Sequence, residues 1–385
     1  MQTVIIGSGI SGWTVARELR KLRPDEVQNP ITLISADSGD FYSKPMLSNA
    51  LASQKTPATL VMTAAAKISE QAKVKLMADT RVLAIDRAAK TVETSAGPVK
   101  YDHLVLGLGA DPIRLPLEGD AANLVLSVND LSDYARFRAA LTAAAPVTIL
   151  GAGLIGCEFA NDLAGAGHPV RVYDIAAWPL GRLLPEAAGQ FSRTRLEAAG
   201  VHFEFGNSIV RVDRDGEGYR LTDSQGNTHQ AGLVLSAIGL KPRIGIAEAA
   251  GLDCGRGIRT DALGRTSDTC IFALGDCAEY GSSGLVLPYI QPVMNAGRAI
   301  AATLAGQDTP LRMPAMPVLV KTPACPTVIS PPAAGAKGNW RCEVSENGVK
   351  ALFESETGGL LGMALLGDAT AERQSLAGQL PTVMG

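Results

Sequence analysis

Hydrophobic and polar positions fall into two regimes along this chain. Unbroken apolar, largely β-branched runs recur at Thr3–Ile6, Ile31–Ser35, Leu104–Leu108, Val147–Leu150, Val170–Tyr173, Leu233–Gly239 and Ile271–Leu274. Runs without polar alternation predict strands covered on both faces, as in a parallel sheet. Between them, helical patterns predict helices from Trp13 to about Leu22, from Cys157 to about Ala166 and from Pro292 to Leu304; Gly167 stands at a natural C′ position. Shorter pieces at Val74–Leu76, Arg81–Ile85, Thr91–Glu93 and Val99–Lys100 predict strands, the last two a hairpin around Ala96-Gly97-Pro98. Val201–Phe205, Ile209–Val212 and Tyr219–Thr222 are expected to be antiparallel, with a turn at Asp215-Gly216. Asp111–Gly119, with its prolines, predicts a linker, and Lys241-Pro242 a crossover. Prolines then crowd the chain after Pro310, followed by strand-like Trp340–Val344, Val349–Glu354 and Leu360–Leu366. These predict a small α+β domain with no nucleotide motif.

Two apolar runs end in the same way. Val4-Ile5-Ile6 leads into Gly7-x-Gly9-x-x-Gly12, and Val147-Thr148-Ile149-Leu150 into Gly151-x-Gly153-x-x-Gly156. In such a turn the first Gly permits the reversal and the second lets backbone approach a pyrophosphate. The third lets helix and strand pack closely, so the helix N-terminus meets the phosphate charge. One match is weak, but two in strand–turn–helix context predict an α/β protein with two Rossmann-like domains binding two dinucleotides. Each second strand closes on an acid. Ser35-Ala36-Asp37 ends the first, farther past Gly7 than the usual ~20 residues, and the long loop at 23–30 accounts for the excess. Asp174 ends the second at about the usual ~20-residue interval, where a carboxylate accepts from a ribose 2′-OH and repels a 2′-phosphate, favouring NADH over NADPH. A solvated strand-end acid is the plainer alternative.

With 385 residues, 46% hydrophobic and 19% charged, the chain is long enough for two or three domains with sizeable cores. A net charge of −3 gives no sign of nucleic-acid affinity. No signal peptide and no membrane span are expected, which predicts a cytoplasmic protein. The six cysteines include no C-x-x-C, so no disulfide framework, no metal or iron–sulfur site and no redox-active pair is expected.

In this order, the pieces resemble the FAD/NAD-linked reductases of the glutathione-reductase structural class. The resemblance covers essentially the whole chain and rests on the Gly7 and Gly151 motifs with Glu158, and on Ile271-Phe272-Ala273-Leu274-Gly275-Asp276. It implies an NAD domain inserted in a split FAD domain: residues 1–111 and 239–309 for FAD, 112–238 for NAD, and 310–385 as a C-terminal interface domain. It implies non-covalent FAD on Gly7, Gly9, Ser11, Gly12, Ser35, Ala36 and Asp37, with Asp276 on the ribityl chain and backbone contacts from Val82 and Ile290. NADH falls to Gly151, Gly153, Gly156 and Asp174. Lys44 and Glu158 resemble a Lys–Glu pair beside flavin and nicotinamide, the catalytic candidates, and Lys321 reaches the flavin from the C-terminal domain. The alternatives are a surface lysine and a helix-face glutamate. Proline after Lys44 is expected to hold that residue extended.

Phe41-Tyr42-Ser43-Lys44-Pro45-Met46-Leu47-Ser48 and Val320-Lys321-Thr322-Pro323-Ala324-Cys325-Pro326 resemble the rubredoxin-reducing branch of the class. That resemblance implies a monomer passing electrons to rubredoxin, a small acidic protein with one iron in four thiolates, in a route that often feeds alkane hydroxylation. Reductases of flavorubredoxin or of an oxygenase ferredoxin remain open. So do an NADH oxidase, disfavoured by Ser43-Lys44 where a cysteine is common, and a non-catalytic nucleotide-bound sensor.

Overall fold

The computed structural model describes residues 1–281 and 284–384. Its first sheet runs Lys75–Met77, Ile31–Ile34, Thr3–Ile6, His103–Leu106, Ile271–Ala273, parallel throughout. Every residue of Thr3–Ile6 and Ile31–Ile34 is buried, as unbroken apolar runs require. Helix Ile10–Leu22 packs against helix Ile290–Leu304. Gly297 makes this approach possible, since a Cβ there would lie 2.7 Å from Thr14 Cγ2.

The second sheet runs Val201–Phe205, Val170–Asp174, Val147–Leu150, Leu233–Ser236, again all parallel. Val201–Phe205 therefore departs from the antiparallel expectation. It follows helix Glu186–Ala198, and a strand entered through a crossover helix returns parallel. Ile209–Asp215, Gly218–Asp223 and Thr228–Ala231 form the antiparallel meander beside it. The expected linker and crossover also differ from plain coil, because Ala110–Pro112 pairs antiparallel with Leu240–Pro242. The two passages between the parallel sheets thus satisfy each other's backbone groups in one ribbon.

Three helices begin earlier than their apolar patterns suggest, at Ile10, Leu154 and Ile290. Gly9 and Gly153 are extended caps, so helical geometry starts at the next residue, and Pro292 is accommodated in a first turn that needs no N–H from it.

After 310 the chain forms a five-stranded antiparallel sheet, in the order Val318–Val320, Thr327–Ser330, Leu360–Gly367, Gly348–Glu354, Asn339–Val344. The sheet packs on helix Glu186–Ala198 of the second parallel domain. Val320, Cys325, Ile329 and Val349 share one apolar core with Phe159, Leu163 and Leu196. Burial of apolar surface, the main driving force for association of this kind, seats the C-terminal unit on the second domain.

Candidate active site

The two Gly turns divide their glycines by function. At the first, Gly7 has φ +105°, and a Cβ on it would lie 2.2 Å from Gly107 O; a Cβ on Gly12 would lie 1.9 Å from Gly7 O. At the second, Gly151 has φ +103°, and a Cβ on Gly156 would lie 1.9 Å from Gly151 O. Packing alone requires glycine at these positions. The middle glycines are different: a Cβ on Gly9 or Gly153 would meet nothing within 4 Å. Each caps its helix in extended geometry without a side-chain bond, leaving first-turn N–H groups facing that open space. Such a cradle fits a pyrophosphate at both turns.

Around the first turn, Ser11 faces the chain at Gly275, where an added Cβ would lie 2.4 Å from its Oγ, so Ser11 and the Gly275-Asp276 element meet. Asp37 Oδ1 accepts from Ser35 Oγ at 2.5 Å, Ser8 Oγ at 3.0 Å and the Gly39 N–H at 2.9 Å. The fixed oxygen leaves Oδ2 for a hydroxyl donor at the exposed end of this strand, beside exposed Ala36. Ser8 was not legible as a partner of Asp37, since no short-range pattern joins them. The loop between helix and strand is closed by Asp25 Oδ1, which accepts from the Val27 and Gln28 N–H groups and accounts for the long interval to Asp37. Half-buried Val82 follows a segment tied to this strand end by Asp79 N to Asp37 O and Thr80 N to Ser35 O. Ile290 is the exposed first residue of its helix.

At the second turn, Asp174 braces the site from the next strand. Its Oδ2 accepts from the Ala152 N–H at 2.6 Å and its Oδ1 from Ala176 at 2.7 Å. The negative charge is thereby held at the turn, where it disfavours a second phosphate.

The expected Lys44–Glu158 pair does not form. Lys44 Nζ lies 3.7 Å from Asp276 Oδ2, whereas Glu158 ion-pairs with Lys321 Nζ, accepts from the Lys321 N–H at 2.9 Å, and accepts from Ser48 Oγ at 2.5 Å. Lys44 opens a 3-10 helix, Lys44–Asn49, and the extended residue is Ser43, at φ −90°, ψ 101°. With three residues per turn, Lys44 and Ser48 leave that helix in different directions. Ser48 turns to Glu158 and Lys44 to Asp276. Desolvation pushes the Lys44 ammonium below its usual range, with Asp276 opposing that shift and Arg243 adding to it. There are therefore two carboxylate–lysine pairs, Lys44–Asp276 beside the Ser11–Gly275 contact of the first turn and Lys321–Glu158 on the helix that follows the second, and Lys321 brings the C-terminal unit into the latter.

The helix Leu154–Gly165 carries more than the motif suggests. Asn161 Oδ1 accepts from the Ala324 N–H at 3.0 Å, and Asp162 accepts from Leu51 and Ala52 at 2.8 and 2.9 Å. Burial pushes the Asp162 carboxyl up, and the Ala52 and Leu51 N–H groups pull it back. An acid at i and another at i+4 on an apolar helix was the available signal. The six cysteines are unpaired. Cys157 and Cys277, nearest the motifs, are buried, and burial raises both thiols, Cys277 to about 11. Neither is poised as a thiolate nucleophile.

Residues 1–301 match the family of pyridine nucleotide-disulphide oxidoreductases, and residues 310–380 match the rubredoxin binding C-terminal domain. The chain is 46% identical over 386 residues to a rubredoxin-NAD(+) reductase of Alcanivorax borkumensis, covering 99% of each. It is 39% identical to a nitric oxide reductase FlRd-NAD(+) reductase of Aeromonas salmonicida, over 99% of this chain and 96% of that one. Among solved structures, a chain of the covalent putidaredoxin reductase–putidaredoxin complex superposes with a TM-score of 0.89 at 25% identity, covering 99% of this chain and 94% of that one.

Proposed function

We infer the reaction from one premise: the chain belongs to the pyridine nucleotide-disulphide oxidoreductase family and ends in a rubredoxin-binding domain. It is an FAD-dependent NADH:rubredoxin oxidoreductase. When bound, FAD accepts a hydride from NADH and releases single electrons to rubredoxin. The protein's part is binding, orientation and charge placement.

We assign FAD to the first turn, with Gly7, Gly9, Ser11 and Gly12 at the pyrophosphate, Ser35, Ala36 and Asp37 at the adenosine ribose, and Val82 and Ile290 flanking. Asp276 and Lys44 hold the flavin end, and Lys321 approaches it from the C-terminal domain. NADH is assigned to Gly151, Gly153, Gly156 and Asp174, with Glu158 bordering the nicotinamide. The observation that carries this reading is the convergence of Glu158, Ser48 and Lys321 on the helix that leads from the open second turn, joined there to the segment that begins at Lys44. The unpaired, raised thiols support electron release without a cysteine relay. We propose the division 1–111 with 239–309 for FAD, 112–238 for NAD and 310–385 for docking; the Ala110–Pro112 and Leu240–Pro242 ribbon supports the first two joins. No helix among the described residues is long and apolar enough to cross a membrane. Unpaired cysteines fit a reducing compartment, which supports a cytoplasmic site of action.

The visible spectrum of the purified chain tests the reaction. The flavin band is expected to bleach on NADH addition and to return when oxidised rubredoxin is supplied. A preparation that stays colourless after incubation with FAD, or a yellow one that NADH leaves unchanged, refutes it. Flavorubredoxin, the class of acceptor named for the Aeromonas relative, is the second acceptor in the same cuvette.

A further inference from the structure

The segment following Lys44 is fastened to helix Leu154–Gly165 at two points one helical turn apart. Ser48 Oγ donates to Glu158 Oε2 at 2.5 Å and receives Lys321 Nζ at 3.3 Å. Asp162 Oδ2 and Oδ1 take the Leu51 and Ala52 N–H groups at 2.8 and 2.9 Å. Both side chains are sealed from water, Ser48 at 2% and Asp162 at 3% exposure. Leu47, Ala50 and Leu60 pack in the same core as Phe159 and Leu163.

Apolar packing alone would let one element slide or roll on another, because it is non-directional. Directional bonds at i and i+4 set both the register and the roll of the Lys44 segment against the helix. The segment begins with Lys44, paired to Asp276 on the side of the first turn. The helix begins at Leu154, capped by Gly153 of the second cradle. The separation of the two cradles is therefore transmitted through these bonds.

We propose that Ser48 and Asp162 are positioning residues for hydride transfer: a two-point clasp that holds the flavin-side segment and the nicotinamide-side helix at one separation. This rests on the reading of Glu158 beside the nicotinamide. Hydride transfer needs its donor and acceptor carbon and nitrogen at near-contact distance, so a loosened clasp slows that step and no other.

The test uses the full chain loaded with FAD, in Ser48→Ala, Asp162→Asn and Glu158→Gln forms. Rapid mixing with saturating NADH is expected to bleach the flavin band in Ser48→Ala and Asp162→Asn about tenfold or more slowly than in the parent. The isotope effect with 4-deuterated NADH should grow. Electron release from the dithionite-reduced chain to ferricyanide should keep the parent rate, a separation that general loss of structure does not produce. Bleaching within about twofold of the parent in Ser48→Ala, or equal slowing of both half-reactions, overturns the clasp. If Asp162→Asn does not fold, Ser48→Ala decides alone. Glu158→Gln keeps the two readings apart. Bleaching at the parent rate there removes Glu158 from the nicotinamide site, and with it the premise. Slow bleaching there beside parent-rate Ser48→Ala overturns the clasp only.

Discussion

At the scale of single residues, the glycines of one motif have separable duties. A Cβ on Gly156 would lie 1.9 Å from Gly151 O, so backbone must move, and overpacking of this kind costs about 1–3 kcal/mol. A Cβ on Gly153 meets no protein atom within 4 Å. Gly153→Ala is therefore expected to keep the parent's thermal midpoint while weakening NADH binding about tenfold, or ~1.4 kcal/mol. Gly156→Ala should instead lower the thermal midpoint whether or not NADH is present. Melting curves paired with NADH titrations check both, and a lowered midpoint in Gly153→Ala would place protein, not nucleotide, over that residue. The exchange of partners around Glu158 belongs to this scale as well. Class resemblance paired it with Lys44, but the direction in which each side chain leaves its backbone paired it with Lys321.

At the scale of elements, helix Leu154–Gly165 is the joint of the molecule. Its Glu158 and Asn161 bind Lys321 and Ala324 from the C-terminal unit, and its Asp162 binds Leu51 and Ala52 from the first domain. Glu158 is buried, so removing Lys321 strands a carboxylate that water cannot reach, and breaking a buried pair costs several kcal/mol. Lys321 itself is partly exposed, which reduces the figure for Lys321→Ala to about 2–3 kcal/mol. Lys350→Ala, which removes the pair between strand Gly348–Glu354 and exposed Glu372 at the end of the 3-10 helix Asp368–Glu372, is expected to cost no more than about 1 kcal/mol. Urea unfolding of the two variants checks the contrast; equal losses would mean that the Glu158 pair is solvated. The apolar strand pattern reported the parallel sheets well, because both faces are covered. It misassigned Val201–Phe205, whose direction is dictated by the preceding helix and not by its own residues.

At the scale of the whole molecule, charge must act locally. The chain carries a net −3, and the resemblance to rubredoxin reductases implies an acidic acceptor, so overall charge is expected to oppose their encounter. Lys44, Lys321 and nearby Arg243, which is close enough to depress Lys44, are each paired with a carboxylate, Asp276, Glu158 and Asp111, and each keeps part of its side chain exposed to face an acceptor. Turnover with rubredoxin should therefore fall as salt is raised through ~0.15 M, where the Debye length is about 8 Å, while turnover of NADH with neutral quinone acceptors stays flat. Steady-state rates over a salt series check this. Flat dependence with rubredoxin would assign docking to apolar contact.

Sequence by itself determined the parallel strands other than Val201–Phe205, both Gly-rich turns, the acids that close them and the proline-rich entry to the C-terminal unit. These are local properties, set by apolar runs and by glycine's conformational freedom within a few residues. Tertiary structure alone decided which lysine meets Glu158, that Ser8 steadies Asp37, that two interdomain passages pair as a ribbon, and that Ser48 and Asp162 fasten one domain to another. Each of those contacts joins residues far apart in the chain. Side-chain direction and domain packing select such partners, and neither is written in short-range spacing.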